Sequence, residues 1–142
     1  AELFAQSGVV SLHAPSTPGT AGMIGREALA AAKRGLVLVN TARGALVDLD
    51  ALHDAMREGT VLAAGLDVLP QEPPNLQVAL IKAWQGGEDW LRHRLVITPH
   101  SAFFTPQSAH DMRAFSARTA ARYLRDGRLE NCVNEAWLTR RR

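Results

Sequence analysis

A chain of 142 residues is long enough for one domain with a real core, and 46% hydrophobic and 21% charged residues are the proportions of an ordinary soluble globular protein. The net charge of +2 owes much to Arg140, Arg141 and Arg142, but no aromatic–basic interleaving or reading motif accompanies them, which argues against a nucleic-acid partner. Cys132 is alone, so no internal disulfide is available, which fits a reducing cytoplasm; no leader segment is read, and no run reaches the roughly 18 apolar residues of a membrane helix.

In chain order, residues 1–6 read as the end of a helix, and Val9-Val10-Ser11-Leu12 as a short strand. A loop from His13 to Thr20 carries two prolines and a glycine. Ile24 to Arg34 is alanine-rich, with Ile24, Leu29 and Ala32 able to share a face, and predicts a helix capped by Gly35. Leu36 to Val39 is a continuous apolar run, as in a strand buried on both faces. Asp48 is placed to cap a helix from Leu49 to Glu58, ended by Gly59. Another strand lies within Val61–Val68. From Asn75 to Arg94, two short helices joined at Gly86-Gly87 fit the pattern, followed by a strand from Leu95 to Ile97. Thr105 to Arg125 predicts a long helix with Met112, Phe115, Thr119 and Tyr123 on one stripe and Gly127 at its end. The alternation of strands and helices predicts an α/β fold with a parallel sheet.

Three of these strands share a feature. Val39-Asn40-Thr41-Ala42-Arg43-Gly44, then Gly65-Leu66-Asp67-Val68-Leu69-Pro70-Gln71-Glu72-Pro73, then Ile97-Thr98-Pro99-His100-Ser101-Ala102, each deliver an ionisable side chain just past an apolar run. Parallel α/β sheets bind ligands outside the carboxyl ends of their strands. A cation, a carboxylate and an imidazole at three such ends point to an active site for an anionic substrate that exchanges a proton. No glycine-flanked nucleophile elbow is present, and Ser101 directly adjoins His100, which argues against a serine hydrolase. No histidine pair lies at helical ligand spacing with a carboxylate partner, so no metal is expected.

These three motifs, with His13-Ala14-Pro15-Ser16-Thr17-Pro18-Gly19-Thr20 and Lys33-Arg34-Gly35 in the same order, resemble the D-isomer-specific 2-hydroxyacid dehydrogenases, which include phosphoglycerate, glycerate, lactate and formate dehydrogenases. The resemblance runs from about Ser11 to about Asn134. It implies the second half of a Rossmann-type, doubly wound parallel sheet followed by a long C-terminal helix. A dinucleotide fold opens with a glycine-rich turn after a strand and an acidic residue about 20 positions on. Gly19, Gly22 and Gly25 have the spacing, but no strand runs into them. The expectation is therefore a partial dinucleotide-binding domain over 1–142, with its first half and the substrate domain absent, a helix over 105–127 and a tail over 128–142. Such a chain is expected to be inactive alone.

The resemblance assigns roles. Arg43 would bind the substrate carboxylate and carbonyl, since a guanidinium fork matches a carboxylate bidentately. His100 would be the general acid/base, an imidazole titrating near neutrality. Glu72 would orient that ring and favour its imidazolium form. Asp67 would meet the nicotinamide carboxamide. His13, Ala14, Pro15 and Thr17 would pass over the cofactor, and Thr41, Ala42, Arg43, His100, Ala102 and Phe103 would flank the nicotinamide. The implied cofactor is NAD, with NADP open because its determinant falls in the first half. The implied partners are a small 2-hydroxy or 2-keto acid and a second subunit in a homodimer; the compartment is the cytoplasm. The crossover from Glu72 to His100 is longer than usual for the family. It is similar to a subgroup resembling the C-terminal-binding corepressors, and a dinucleotide-sensing binding protein without significant turnover is the alternative reading.

Overall fold

The computed structural model describes residues 2–138, and these divide after Ala102 into two compact units. The first unit runs α1 (Glu2–Gln6), β1 (Val9–Leu12), α2 (Arg26–Ala30), β2 (Leu36–Asn40), α3 (Leu49–Glu58), β3 (Val61–Leu66), α4 (Ala79–Gln85) and β4 (Leu95–Ile97), with single 3-10 turns at Gly44–Leu46 and Asp89–Leu91. The four strands form one parallel sheet in the order β1-β2-β3-β4. This is the fold expected from the alternation of apolar runs and amphipathic segments.

One sheet face makes the core. Val10, Leu12, Leu38, Ala64, Leu66 and Leu95 are buried there, with Leu29 of α2, Leu52 and Met56 of α3 and Leu80 of α4. α3 forms as its local signals dictate. The Asp48 carboxylate accepts from the backbone N–H groups of Asp50 and Ala51, and Gly59 closes the helix in the left-handed region at φ 78°. α2 departs from expectation, covering five residues of the predicted Ile24–Arg34 span. Ile24 is drawn into a parallel bridge with Val47, and the Lys33 N–H donates to Phe4 O rather than to its own helix. The helix is capped by Ala31, not Gly35; Gly35, at φ 86°, instead turns the chain into β2.

The long crossover holds the two helical pieces read from the sequence, α4 and the 3-10 turn, separated by Gly86 and Gly87. It is fastened to the sheet by Arg94, whose guanidinium donates to the carbonyls of Met56, Val61, Leu62 and Trp90 at 2.7–2.9 Å. Arg57 stacks over the Trp90 ring at 5.1 Å, and His53 meets the same ring edge-on.

The second unit contains α5 (Pro106–Asp126) and α6 (Glu135–Leu138). α5 opens with a capping box, in which Thr105 and Ser108 each accept the other's backbone N–H, and ends at Gly127 with φ 64°. None of its residues is buried, and Phe115, Met112 and Tyr123 stand exposed on it. α6 puts a helical turn in the segment expected to be a tail, while Arg140, Arg141 and Arg142 lie outside the described residues. Among the described residues, no helix is long and apolar enough to cross a membrane.

Candidate active site

The site is built where β2, β3 and β4 end. The backbone ladder continues one step past the strands: Asp67 N–H donates to Asn40 O at 2.9 Å, and His100 N–H donates to Asp67 O at 2.9 Å. These bonds align the three strand exits, so the loops carrying Arg43, Glu72 and His100 leave the sheet side by side.

Asn40 organises the first loop. It is fully buried at the end of an otherwise apolar strand. Its Nδ2 donates to Arg43 O at 2.9 Å, and its Oδ1 accepts from Ala42 N–H at 3.0 Å. A buried amide must satisfy both ends, and here both are spent on holding this loop. Arg43 itself is exposed and gives one N–H to Ala42 O at 2.7 Å. Gly44 then packs on the second loop so closely that a Cβ would lie 1.9 Å from the Leu69 carbonyl carbon.

The second loop presents Glu72. Its Oε1 accepts from Leu69 N–H at 3.0 Å, and its Oε2 pairs with His100 Nδ1 at 2.8 Å. The hydrogen bond from His100 first, and that from Leu69 second, hold the Glu72 carboxyl below the ordinary carboxylate range. Pairing through Nδ1 assigns that nitrogen as the donor to the carboxylate, with Nε2 at the far side of the ring. His100 sits in the left-handed region at φ 54°, with its N–H shared between Asp67 O and Thr98 O. A non-glycine residue held there by its neighbours is a common mark of a functional position.

Asp67 is 6% exposed and collects donors from the third loop. Oδ1 accepts from the Thr98 hydroxyl and from Ser101 N–H, and Oδ2 accepts from Ala102 N–H at 2.9 Å. Burial alone would raise this carboxyl; the bonds from Thr98, Ala102 and Ser101 outweigh it and set the pKa below the ordinary value. Asp67 therefore fixes the segment that carries His100.

Arg43, Glu72 and His100 line one cleft of about 230 Å³, with Ser16, Gly44 and Leu69. The sequence placed these three at separate strand ends, and the structure gathers them. His13 is exposed, its Nε2 bonded to Ser11 Oγ at 2.9 Å. Ala14 packs on the core, Pro15 O accepts from Thr20 Oγ1, and the Thr17 and Thr20 side chains pair at 3.1 Å, so a closed turn follows β1. Thr41 is exposed and Ala42 half-buried beside Arg43. Ala102 closes the first unit; Phe103 begins the second. Asn40 and the Leu69 amide were not among the residues singled out. A polar residue ending an apolar strand is a signal for the former, whereas a main-chain donor leaves none.

Residues 1–102 match the family described as D-isomer specific 2-hydroxyacid dehydrogenase, NAD binding domain. The chain is 42% identical over 106 residues to a glycerate dehydrogenase of Methylorubrum extorquens, covering 75% of this chain and 32% of that protein. It is 35% identical over 133 residues to a D-3-phosphoglycerate dehydrogenase of Methanocaldococcus jannaschii, covering 94% of this chain and 24% of that one. A crystal structure of an NAD-complexed D-isomer specific 2-hydroxyacid dehydrogenase from Lactobacillus delbrueckii ssp. bulgaricus superposes with a TM-score of 0.77 at 35% identity, over 94% of this chain and 42% of the other. This chain thus spans less than half the length of each of these relatives. With a parallel sheet of this topology and a histidine–carboxylate pair and an arginine at its strand ends, the match over residues 1–102 shows that the chain belongs to the D-isomer specific 2-hydroxyacid dehydrogenase family.

Proposed function

We propose that this chain supplies the acid–base and carboxylate-binding half of a dehydrogenase that interconverts 2-keto and 2-hydroxy acids. The observation that carries the reading is the 2.8 Å contact between His100 Nδ1 and Glu72 Oε2 in a cleft that also contains Arg43. The dinucleotide, when bound, supplies or accepts the hydride. Arg43 binds the substrate carboxylate through guanidinium N–H groups not used on Ala42. His100, as imidazolium, gives its Nε2 proton to the carbonyl oxygen during reduction and takes it back from the hydroxyl during oxidation. Glu72 holds the ring orientation and balances its charge.

The strand-end shelf fits the nicotinamide half of a dinucleotide. Asp67 uses three donors, and two carboxylate oxygens offer about four acceptor positions, which leaves one for a carboxamide. The loops at His13, Ala14, Pro15 and Thr17, at Thr41 and Ala42, and at His100 and Ala102 flank that position in this proposal. The pyrophosphate and the far wall of the substrate pocket are held by segments beyond this partial domain. The complete enzyme works in the cytoplasm as a homodimer.

The test is oxidation of NADH by a panel of 2-keto acids, with Arg43→Lys beside the wild type. A point charge does not reproduce a bidentate fork. The variant is expected to lose about 10-fold or more of kcat/KM for keto acids while its NADH affinity stays within about two-fold. An unchanged kcat/KM would remove Arg43 from the site, and no turnover of any keto acid by the wild type would overturn the dehydrogenase reading.

A further inference from the structure

The strand that carries His100 is held to the sheet by little. β4 has three residues, Leu95, Val96 and Ile97, and within this sheet it pairs with β3 alone. Register is normally set by an alternation that sends apolar side chains to the core and polar ones to water. Here all three residues are apolar, with Leu95 buried and Val96 60% exposed, so a slip of one position would exchange one apolar side chain for another. Yet this register decides the site. Ala64 N–H donates to Arg94 O at 2.8 Å, Thr98 N–H to Leu66 O at 3.0 Å and His100 N–H to Asp67 O at 2.9 Å, one ladder from the head of β4 to His100. A one-residue slip moves a strand by about 3.3 Å, enough to break the 2.8 Å contact between His100 Nδ1 and Glu72 Oε2.

The side chain at the head of β4 supplies what the apolar pattern lacks. A guanidinium has five N–H groups in a fixed plane, and Arg94 commits four of them to main-chain carbonyls. Nε donates to Leu62 O at 2.7 Å, Nη1 to Trp90 O at 2.8 Å, and Nη2 to Met56 O at 2.7 Å and Val61 O at 2.9 Å. Met56 lies in the last turn of α3, where carbonyls have no partner within the helix. Val61 and Leu62 precede Ala64, the first residue of β3 that β4 reaches. Leu62 is also a bulge on the other side, since Leu36 of β2 pairs with Val61 and Val37 with Ala63. Successive carbonyls of a regular strand point to opposite edges; the bulge breaks that alternation, and both reach one guanidinium. A rigid fork meets these oxygens from one position along the strand, which a flexible ammonium does not require.

Building on the dehydrogenase reading, we propose that Arg94 is a positioning residue for the reaction: by pinning the head of β4 to the bulge of β3 and the end of α3, it sets the register that brings His100 to Glu72. Two measurements test this. The first is steady-state kinetics of the complete enzyme, with Arg94→Ala and Arg94→Lys beside the wild type. Misplacing a reacting group by about 1 Å costs about 10²-fold in rate, so kcat of Arg94→Ala is expected to fall by about that much. Arg43 leaves the sheet from β2, so KM for the keto acid should stay within about two-fold. Arg94→Lys should fall between wild type and Arg94→Ala; it keeps the stem and the charge, and it carries the test should Arg94→Ala fail to fold. Unchanged kcat, or a KM that rises as kcat falls, overturns the proposal and leaves the dehydrogenase reading intact.

The second measurement needs no turnover. Amide hydrogen exchange of this chain is compared between wild type and Arg94→Lys. Exchange is expected to quicken by about 10-fold or more at Thr98 and His100, whose N–H groups bond to β3 and its exit, while the Val37 and Asp67 amides, bonded to Gly8 and Asn40, keep their wild-type rates. Equal loss of protection at all four would mean that Arg94 only stabilises the fold, and loss at none that it pins nothing; either overturns the proposal. If the wild type reduces no keto acid, the dehydrogenase reading fails, and this exchange pattern still decides whether Arg94 sets the register.

Discussion

At the scale of single residues, the site divides into groups that touch reactants and groups that hold them. In the reading proposed above, His100 belongs to the first kind. Replacing His100 with Gln in the complete enzyme keeps a hydrogen-bonding side chain but removes the group proposed to carry the proton. Turnover is expected to fall by about 10² to 10⁴ with dinucleotide affinity retained; unchanged turnover across the pH range would exclude the role. Asp67 holds the loop, whatever else it meets, since both of its oxygens accept from the His100 segment. Its carboxyl is held below the ordinary value, so its contribution is fully present above about pH 4 and is lost as pH falls through the lower folded value. In Asp67→Asn an NH₂ group replaces one acceptor and faces a backbone N–H. That should cost about 1–3 kcal/mol at pH 7 by urea unfolding of this chain, and the gap from wild type should narrow in acid as the wild-type carboxyl protonates. A gap that persists unchanged at pH 2 would mean that the carboxylate's charge is irrelevant to the loop.

At the scale of elements, the loops after β2 and β3 work as one piece because of a missing side chain. Gly44 lets the Arg43 loop sit directly on Leu69 and Pro70, and an added Cβ would fall within 2.4 Å of three backbone atoms there. Backbone cannot swing aside as a flexible side chain does. Gly44→Ala is therefore expected to destabilise the chain by about 1–3 kcal/mol or to displace the Arg43 loop. Chemical denaturation reads the first outcome, and Ala42 amide exchange, now protected by Asn40, reads the second. Wild-type values in both measurements would show that the close approach is dispensable. The contrast between α3 and α2 shows what local sequence decides. The ends of α3 are written in Asp48 and Gly59, whose side-chain chemistry and lack of a Cβ act within one turn. α2 ends early because its flanks are claimed from a distance, Ile24 by Val47 and the Lys33 N–H by Phe4. The alanine-rich run carries no sign of either.

At the scale of the molecule, the sheet is finished on one side only. Register places Val9, Val37, Val39, Ala63, Gly65 and Val96 together on the face opposite the core. Val9 is 64% and Val96 60% exposed, although parallel sheets are normally covered on both faces. Within this sheet β1 pairs only with β2, so it also presents an edge. Open face and open edge together predict that the chain by itself associates with copies of itself. The pyrophosphate contacts of this fold come from a glycine-rich turn at a helix N-terminus, and the turn holding Gly19, Gly22 and Gly25 leads instead to the five-residue α2. Weak or undetectable NAD binding is therefore expected. Light scattering after size exclusion, with calorimetric titration of NAD, tests both; a monomer that binds NAD tightly would contradict the partial-domain reading.

The sequence by itself determined the fold class, the order of strands and helices in the first unit and the three side chains of the candidate site. Apolar runs, caps and turn residues act over a few positions, and an ionisable residue just past a buried strand is legible wherever it occurs. Only the tertiary structure decided that Arg43, Glu72 and His100 share one cleft, that Asn40 and Asp67 hold their loops, that Gly44 seats one loop on another, and that Arg94 bonds to carbonyls of α3 and β3. Each of these depends on contacts between residues brought together by parallel strand pairing. Register and crossover length set those distances, and neither is encoded in any one segment of the chain.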